Sequence, residues 1–296
     1  MTDVHSLLPQ TLRVKVATYW TFSKPRIWIA FALEGLVGSL LAWSASGAFP
    51  WVLVMVGILA IVLAAAGAEA LTNVLDRAMD AVMQRTRTRP LPSGTITPTA
   101  AVVFGFVCVG ASLGLGGFLG PIPLMFLVLG LIDNVVIYSA LTKRTTPWSI
   151  VLGAGSGAVP VWVGFSALRL PISLSAWLLG VVVMCWIPVH IWSLAWAYRE
   201  DYARADVPMA SVVWAPRTFQ RAWYGALILM MAATVTFSAV ALPDIPAVIA
   251  DGGVGWVALL GLQWGARPTL ERARKVFMGA NLYLVGLLVL VIVVRL

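Results

Sequence analysis

Apolar residues in this chain come in long unbroken runs, not in the alternation of a half-buried strand or the one-sided stripe of a soluble helix. A helix that crosses a bilayer needs about 20 apolar residues. Nine runs have that character, at about 27–47, 51–72, 99–118, 121–141, 148–166, 173–197, 220–241, 246–264 and 276–295. Short turns such as Gly120-Pro121 separate neighbouring runs instead of lengthening one. Asp251, Gly252 and Gly253 interrupt the eighth. The pattern predicts an all-α membrane protein of nine transmembrane helices, folded as a single polytopic domain over 1–296.

Two long polar segments, about 76–98 and 199–219, stand out between the runs. They follow the second and sixth spans, four helices apart. The first begins inside a helix. Glu69, Asn73, Asp76 and Asp80 are spaced by four, three and four. At about 100° per residue they share a stripe about 60° wide. An acidic face on an apolar helix needs a compensating partner. Arg85, Arg87 and Arg89 follow, and then a Pro-Leu-Pro-Ser-Gly turn. Carboxylates beside arginines can hold a divalent metal and a polyphosphate together. The second segment carries Glu200 and Asp201 at its helix end. Two similar units around a central cavity would set these ends face to face, although no residue-level repeat is visible.

Composition agrees: 60% of the 296 residues are hydrophobic and 11% charged, against about 25% charged in soluble domains. The net charge of +8 sets orientation and is no sign of nucleic-acid binding. With nine spans, 18 of the 20 Lys and Arg residues fall on the side of the N-terminus, and only Arg169 and Arg295 on the other. That bias predicts a cytoplasmic N-terminus and places both polar segments in the cytoplasm. Residues 1–23 lack a cleavable signal and the Arg- and Ser-rich pattern of an import leader. A multi-pass protein of a prokaryotic cell (inner) membrane is the simplest expectation. Cys108 and Cys185 lie alone in apolar runs, which suggests neither a disulfide nor a zinc site.

Four stretches form a recognisable set. Lys24-Pro25-Arg26 precedes the first span. Asn73-x-x-Asp76-x-x-x-Asp80-x-x-Met83-x-Arg85-Thr86-x-x-Arg89-Pro90 closes the second. Tyr138, Lys143-Arg144-Thr145 and Gly153-x-Gly155-x-Gly157-Ala158-x-Pro160 surround the fourth and fifth. Trp186-x-x-x-His190 and Arg199-x-Asp201-Tyr202-x-x-Ala205-x-x-Pro208-Met209 belong to the sixth and its loop. In these stretches nearly the whole chain resembles the UbiA superfamily of intramembrane prenyltransferases. The Arg-Thr-x-x-Arg-Pro and Asp-Tyr-x-x-Ala-x-x-Pro-Met strings resemble its haem-modifying branch. The sequence departs from the family pattern at Thr72, Ala78, Tyr198 and Asp206. Three motif carboxylates remain: Asp76, Asp80 and Asp201.

The resemblance implies a helix bundle around a central cavity open to the cytoplasm and the bilayer. It implies transfer of a farnesyl group from farnesyl diphosphate to a vinyl group of haem B. The product would pass to a haem A synthase or terminal-oxidase assembly. Asp76, Asp80 and Asp201, with Asn73, are the implied catalytic and Mg²⁺-binding set; Mg²⁺ prefers oxygen ligands, one or two of them carboxylates. Arg85, Arg89, Lys143 and Arg144 would bind diphosphate. Tyr138, Tyr198 and His190 would contact haem or the allylic cation.

Plainer readings stand beside these. Asp76 and Asp80 also read as helix-end charges paired with arginines, and Lys143 and Arg144 as topology signals. Arg87 reads as solvated. His190 reads equally as a core histidine or an iron ligand. Glu34, Glu69 and Asp133 lie within spans and are functional candidates for that reason; Asp133 has Asn134 and Tyr138 as possible partners. The glycines at 153–157 suit close helix packing or room for a macrocycle. A different UbiA-type acceptor remains an alternative, whether aromatic, quinone-precursor or glycerol-phosphate. A transporter would instead place its carboxylates near mid-membrane.

Overall fold

The computed structural model describes residues 10–43 and 48–296. The residues before 10 and the end of the first predicted span, 44–47, lie outside them. Among the described residues nine helices are long and apolar enough to cross a membrane, as the run pattern predicts.

A short helix, α1 (Gln10–Phe22), precedes the spans. The first two spans are α2 (Pro25–Ala42) and α3 (Trp51–Leu75), and a short helix, α4 (Arg77–Val82), follows the second. The third span is α5 (Pro98–Leu119). The fourth begins as α6 (Pro121–Leu131) and continues as a π-helix, Ile132–Thr142. The fifth is broken into α7 (Ser149–Leu152) and α8 (Gly155–Ser166). After the sixth, α9 (Leu174–Ala197), the chain makes two short helices, α10 (Arg199–Arg204) and α11 (Ala210–Val213). Spans α12 (Pro216–Ala241), α13 (Asp244–Ala266) and α14 (Leu270–Arg295) complete it.

Several helices extend beyond their apolar runs. α12 starts at Pro216 instead of about 220, because proline suits a first helical position. α14 starts at Leu270 instead of about 276, because the Thr269 hydroxyl caps it by accepting the Arg272 N–H.

α3 packs on α5, α2 on α8, and α9 on α12 and α14. At the α2–α8 contact backbone meets backbone closely. A Cβ added at Gly164 would lie 1.9 Å from the Gly35 carbonyl oxygen, so glycine is required there. The Ser39 hydroxyl donates across the same contact to the Gly164 carbonyl at 2.9 Å. Side chains such as Val52, Phe106 and Val248 are exposed around the bundle, as lipid-facing positions should be.

The glycine string of the fifth span fits packing. A Cβ at Gly153 would stand 2.6 Å from the Tyr138 Cβ, and one at Gly157 2.4 Å from Ile187 Cδ1. The Gly153–Ala154 break frees the start of α8, and Asp133 fills the gap by accepting the Ser156 N–H at 2.7 Å. Asp133 therefore caps a helix; it does not pair with Asn134 or Tyr138.

The π-helical turn has a local consequence. Its wider winding ends with the Lys143 N–H donating to the Tyr138 carbonyl, five residues back, at 2.8 Å. That turn leads Lys143 towards the end of α3.

Candidate active site

The acidic stripe ends a helix and then divides. α3 stops at Asp76, yet the Asp80 N–H still donates to the Asp76 carbonyl at 2.8 Å, so the stripe stays helical through α4. Each of its members meets a different part of the fold. Glu69 pairs with the Lys24 ammonium. The Asn73 amide points to the Phe22 carbonyl at 3.5 Å, a weak contact. Asp76 accepts from the Lys143 ammonium and, at 2.9 Å, from the Arg144 guanidinium. Asp80 accepts from Arg89 at 3.0 Å. Of the cations expected near the carboxylates, Arg89, Lys143 and Arg144 are therefore bound to them directly, whereas the Arg85 guanidinium lies over the Tyr198 ring.

Burial raises what is at stake in these pairs. Asp76 is 7% exposed and Asp80 3%. A buried carboxylate without a cation would be strongly unfavourable. The segment after α4 is held in place by its own turns. The Thr86 hydroxyl, fully buried, donates to the Asp80 carbonyl at 2.9 Å, and the Arg89 N–H donates to the Thr86 carbonyl at 2.9 Å. This returns Arg89 to Asp80. Arg87 stays exposed, which fits a solvated residue.

Lys24, Asn73, Asp80, Thr88 and Arg89 line one cavity of about 280 Å³ at the mouth of α2 and α3. α1 forms part of its wall through Thr21 and Phe22, and Phe22 is buried against Leu91 and Ile96. The cavity does not include Asp76, Lys143, Arg144, Arg85 or Asp201. Lys24 was not foreseen as a member. It lies at a left-handed backbone position, φ 53°, immediately before Pro25. Such a conformation is unfavourable for lysine, and here it turns the ammonium towards Glu69. Sequence offered a hint in the cation at a span mouth and the acid within a span, but the pair joins residues 45 apart.

Asp201 departs from expectation. Its carboxylate accepts the Gln84 N–H at 3.2 Å and the Arg85 N–H at 3.3 Å, and pairs with Arg204. Burial pushes the Asp201 carboxyl up, but hydrogen bonds from Arg204 and from the Gln84 and Arg85 amides outweigh it and hold it below the usual carboxylate range. The two polar segments do meet face to face, as the spacing suggested. They meet through this carboxylate bonding to backbone, however, and not through three acids sharing one point. Among the described residues no three acid, histidine or cysteine side chains form a metal-holding group.

The aromatic and histidine expectations divide in the same way. The Lys143 ammonium lies 5.3 Å from the Tyr138 ring centre, and the Arg85 guanidinium 5.1 Å from that of Tyr198. Both tyrosines thus face cations of the polar end. His190 is stacked between Trp186 at 4.3 Å and Phe277 at 4.4 Å. Its Nδ1 faces the Asn281 amide at 3.1 Å, and that amide nitrogen is fixed as a donor by the Phe277 carbonyl at 2.7 Å. This arrangement favours the core-histidine reading. Glu34 is buried, and its Oε2 has no hydrogen-bond partner. A second cavity, about 590 Å³, lies beside α10 and is walled by Trp196, Trp214, Trp223 and Trp264. It contains none of the motif carboxylates.

The sequence model of the UbiA prenyltransferase family matches residues 32–285. A protoheme IX farnesyltransferase of Thermoplasma acidophilum is 34% identical over 95% of this chain and 98% of the relative. One of Alkalilimnicola ehrlichii is 36% identical over 94% and 92%. Among solved structures, one concerned with digeranylgeranylglyceryl phosphate synthase in membranes superposes with a TM-score of 0.76 at 16% identity, covering 95% of this chain and 98% of the other. A UbiA homolog from Archaeoglobus fulgidus bound to GPP and Mg²⁺ gives 0.70 at 14% identity, covering 93% and 99%. At those identities the structures establish the shared fold alone.

Proposed function

The chain belongs to the UbiA prenyltransferase family, and from that premise we propose that it is a haem O synthase. It transfers the farnesyl group of farnesyl diphosphate to a vinyl group of haem B. The observation that supports this most is the cavity at the mouth of α2 and α3. There Lys24, Asn73, Asp80 and Arg89 combine anion-binding and cation-binding groups around one cavity. The identity to protoheme IX farnesyltransferases over nearly full length supports the choice of acceptor.

The donor set suits magnesium, with one correction. Asp80 brings hard oxygen donors to the cavity, with Asp76 one turn before it but outside the cavity lining, and one or two carboxylates plus phosphate oxygens are what that ion takes. Asp201 does not suit it, because its oxygens accept main-chain N–H groups, which cannot swing away to phosphate as the side-chain cations on Asp76 and Asp80 can. Magnesium, when bound, neutralises charge on the diphosphate and eases its departure. The protein's own cations do the rest. Lys24, Arg89, Lys143 and Arg144 are held by carboxylates near the polar end of the bundle. Arriving phosphate oxygens offer the arginines bidentate partners. The carboxylates released from those pairs are then free for the metal. Binding of anion and metal is therefore coupled: either alone leaves a buried charge unpaired.

As the C1–O bond of the substrate breaks, the electron pair leaves with diphosphate, and these cations stabilise the developing charge. The allylic carbon bonds to the terminal vinyl carbon of haem. Water then adds to the inner vinyl carbon and loses a proton, giving the hydroxyethylfarnesyl side chain. The apolar helix walls limit earlier quenching of the cation by water. The charge bias of the polar segments supports a cytoplasmic position for this end in a cell (inner) membrane, and the product would pass to a haem A synthase or an oxidase.

Isolated membranes carrying the protein, supplied with haem B, farnesyl diphosphate and Mg²⁺, should yield farnesylated haem by mass spectrometry, and EDTA should stop it. Turnover of 4-hydroxybenzoate or a glycerol phosphate, with haem unchanged, would instead assign another acceptor.

A further inference from the structure

The turn after α4 leaves two neighbouring backbone donors without a partner of its own. The Thr86 and Arg87 N–H groups both return to the Met83 carbonyl, at 3.2 and 3.0 Å. The Gln84 and Arg85 N–H groups point outward instead, and both find Asp201, more than a hundred residues away. Adjacent amides of this kind favour an anionic acceptor. Arg204 completes the set on Oδ1.

The same turn of helix grips Arg85 a second time. The Asp201 N–H donates to the Tyr198 carbonyl at 3.0 Å, which places both residues at the start of α10. The Tyr198 ring then lies 5.1 Å from the Arg85 guanidinium. One end of α10 thus holds the backbone of Arg85 through a carboxylate and its side chain through an aromatic face. Asp201 is 6% exposed, so water is a poor substitute for either bond.

We propose that Asp201 is a positioning residue that latches segment 83–89 across the polar end of the bundle, and that it is not a magnesium ligand. The latch fixes the segment that returns Arg89 to Asp80 and walls the cavity. It joins the two halves where the family motif would lead one to look for a second metal carboxylate. Only the kinetic part of its test rests on the prenyl-transfer reading.

The test uses the full chain in lipid nanodiscs, with Asp201→Asn and Asp201→Ala compared against wild type and Asp80→Asn. Backbone hydrogen exchange is measured without substrate. A latch predicts that exchange across 83–89 accelerates by about tenfold or more in both Asp201 variants, because alanine offers the two amides no acceptor and asparagine a single neutral oxygen in place of two charged ones. It also predicts that KM for farnesyl diphosphate rises about tenfold while the half-saturating Mg²⁺ concentration stays within about twofold. Unchanged exchange in 83–89, together with a half-saturating Mg²⁺ raised as far as in Asp80→Asn, would overturn the proposal. If the alanine variant does not fold, the isosteric asparagine decides alone. If wild type transfers no prenyl group to any acceptor, the functional reading falls, and the exchange experiment still decides the latch.

Discussion

Replacing Asp80 by asparagine separates stability from chemistry at the proposed site. Asp80 is 3% exposed, and the Arg89 it holds at 3.0 Å is one-third exposed along its side chain. An asparagine keeps an oxygen for that guanidinium but loses the charge. The bond falls from the charge-assisted class, about 1.5–3 kcal/mol, to the neutral one near about 1 kcal/mol. Solvent around Arg89 discounts the difference, leaving about 1 kcal/mol. That corresponds to a Tm lowered by about 2–4 °C. The effect on turnover should be far larger. Losing one group that manages charge at the departing anion costs about 2.7–4 kcal/mol, or about 10²–10³ in rate. The assay is the initial rate of farnesylated haem at saturating Mg²⁺, beside a melting curve read from tryptophan fluorescence. A rate within about tenfold of wild type would refute the assignment of Asp80 to the metal and diphosphate site. A Tm lowered by more than about 10 °C would show instead that the residue chiefly holds the fold.

Gly164→Ala would place a Cβ 1.9 Å from the Gly35 carbonyl oxygen, and backbone cannot yield as a side chain can. We expect at least the about 1–3 kcal/mol typical of overpacking, seen as a clear loss of Tm; wild-type stability would contradict the close α2–α8 contact. His190→Phe retains the stack between Trp186 and Phe277, so haem affinity should change by less than about threefold. A tenfold loss with a shifted Soret band would restore the iron-ligand reading. The Asp201 carboxyl is held below its ordinary value. Its contribution is therefore complete above about pH 4 and is lost only as pH falls through the lower folded value. Exchange protection of the Gln84 and Arg85 amides, corrected for intrinsic rates, should stay level from neutral pH down to about pH 5. Loss of protection near neutrality would contradict the hydrogen bonding described for Asp201.

The spans were legible because the bilayer demands length and apolarity in one continuous run, and both are local properties. Their ends were less so. Thr269 and Pro216 carry α14 and α12 into polar sequence that hydropathy alone leaves outside. The π-helical winding of Ile132–Thr142 has no composition signal, yet it leads Lys143 towards Asp76. At the site, the residue types and their clustering were readable, since Asp76, Asp80 and Arg89 lie within fourteen residues. Which cation meets which acid depends on tertiary approach. Lys143 and Arg144 reach Asp76 across 67 and 68 residues. The contacts of Asp201 were the least legible. Its partners are backbone amides, and no side-chain pattern announces a spare N–H. His190 was ambiguous for a similar reason: the ring was visible in sequence, but Phe277 and Asn281 around it were not linked to it.

The central claim is that carboxylates and cations paired at the polar end exchange partners when substrate and metal arrive. The direct measurement is the Kd of a non-reacting farnesyl thiodiphosphate for the purified protein in nanodiscs, with Mg²⁺ and with EDTA. Exchange predicts at least about tenfold tighter binding with Mg²⁺, and by reciprocity the same factor for Mg²⁺ with the analogue present. The same Kd in both conditions would contradict it.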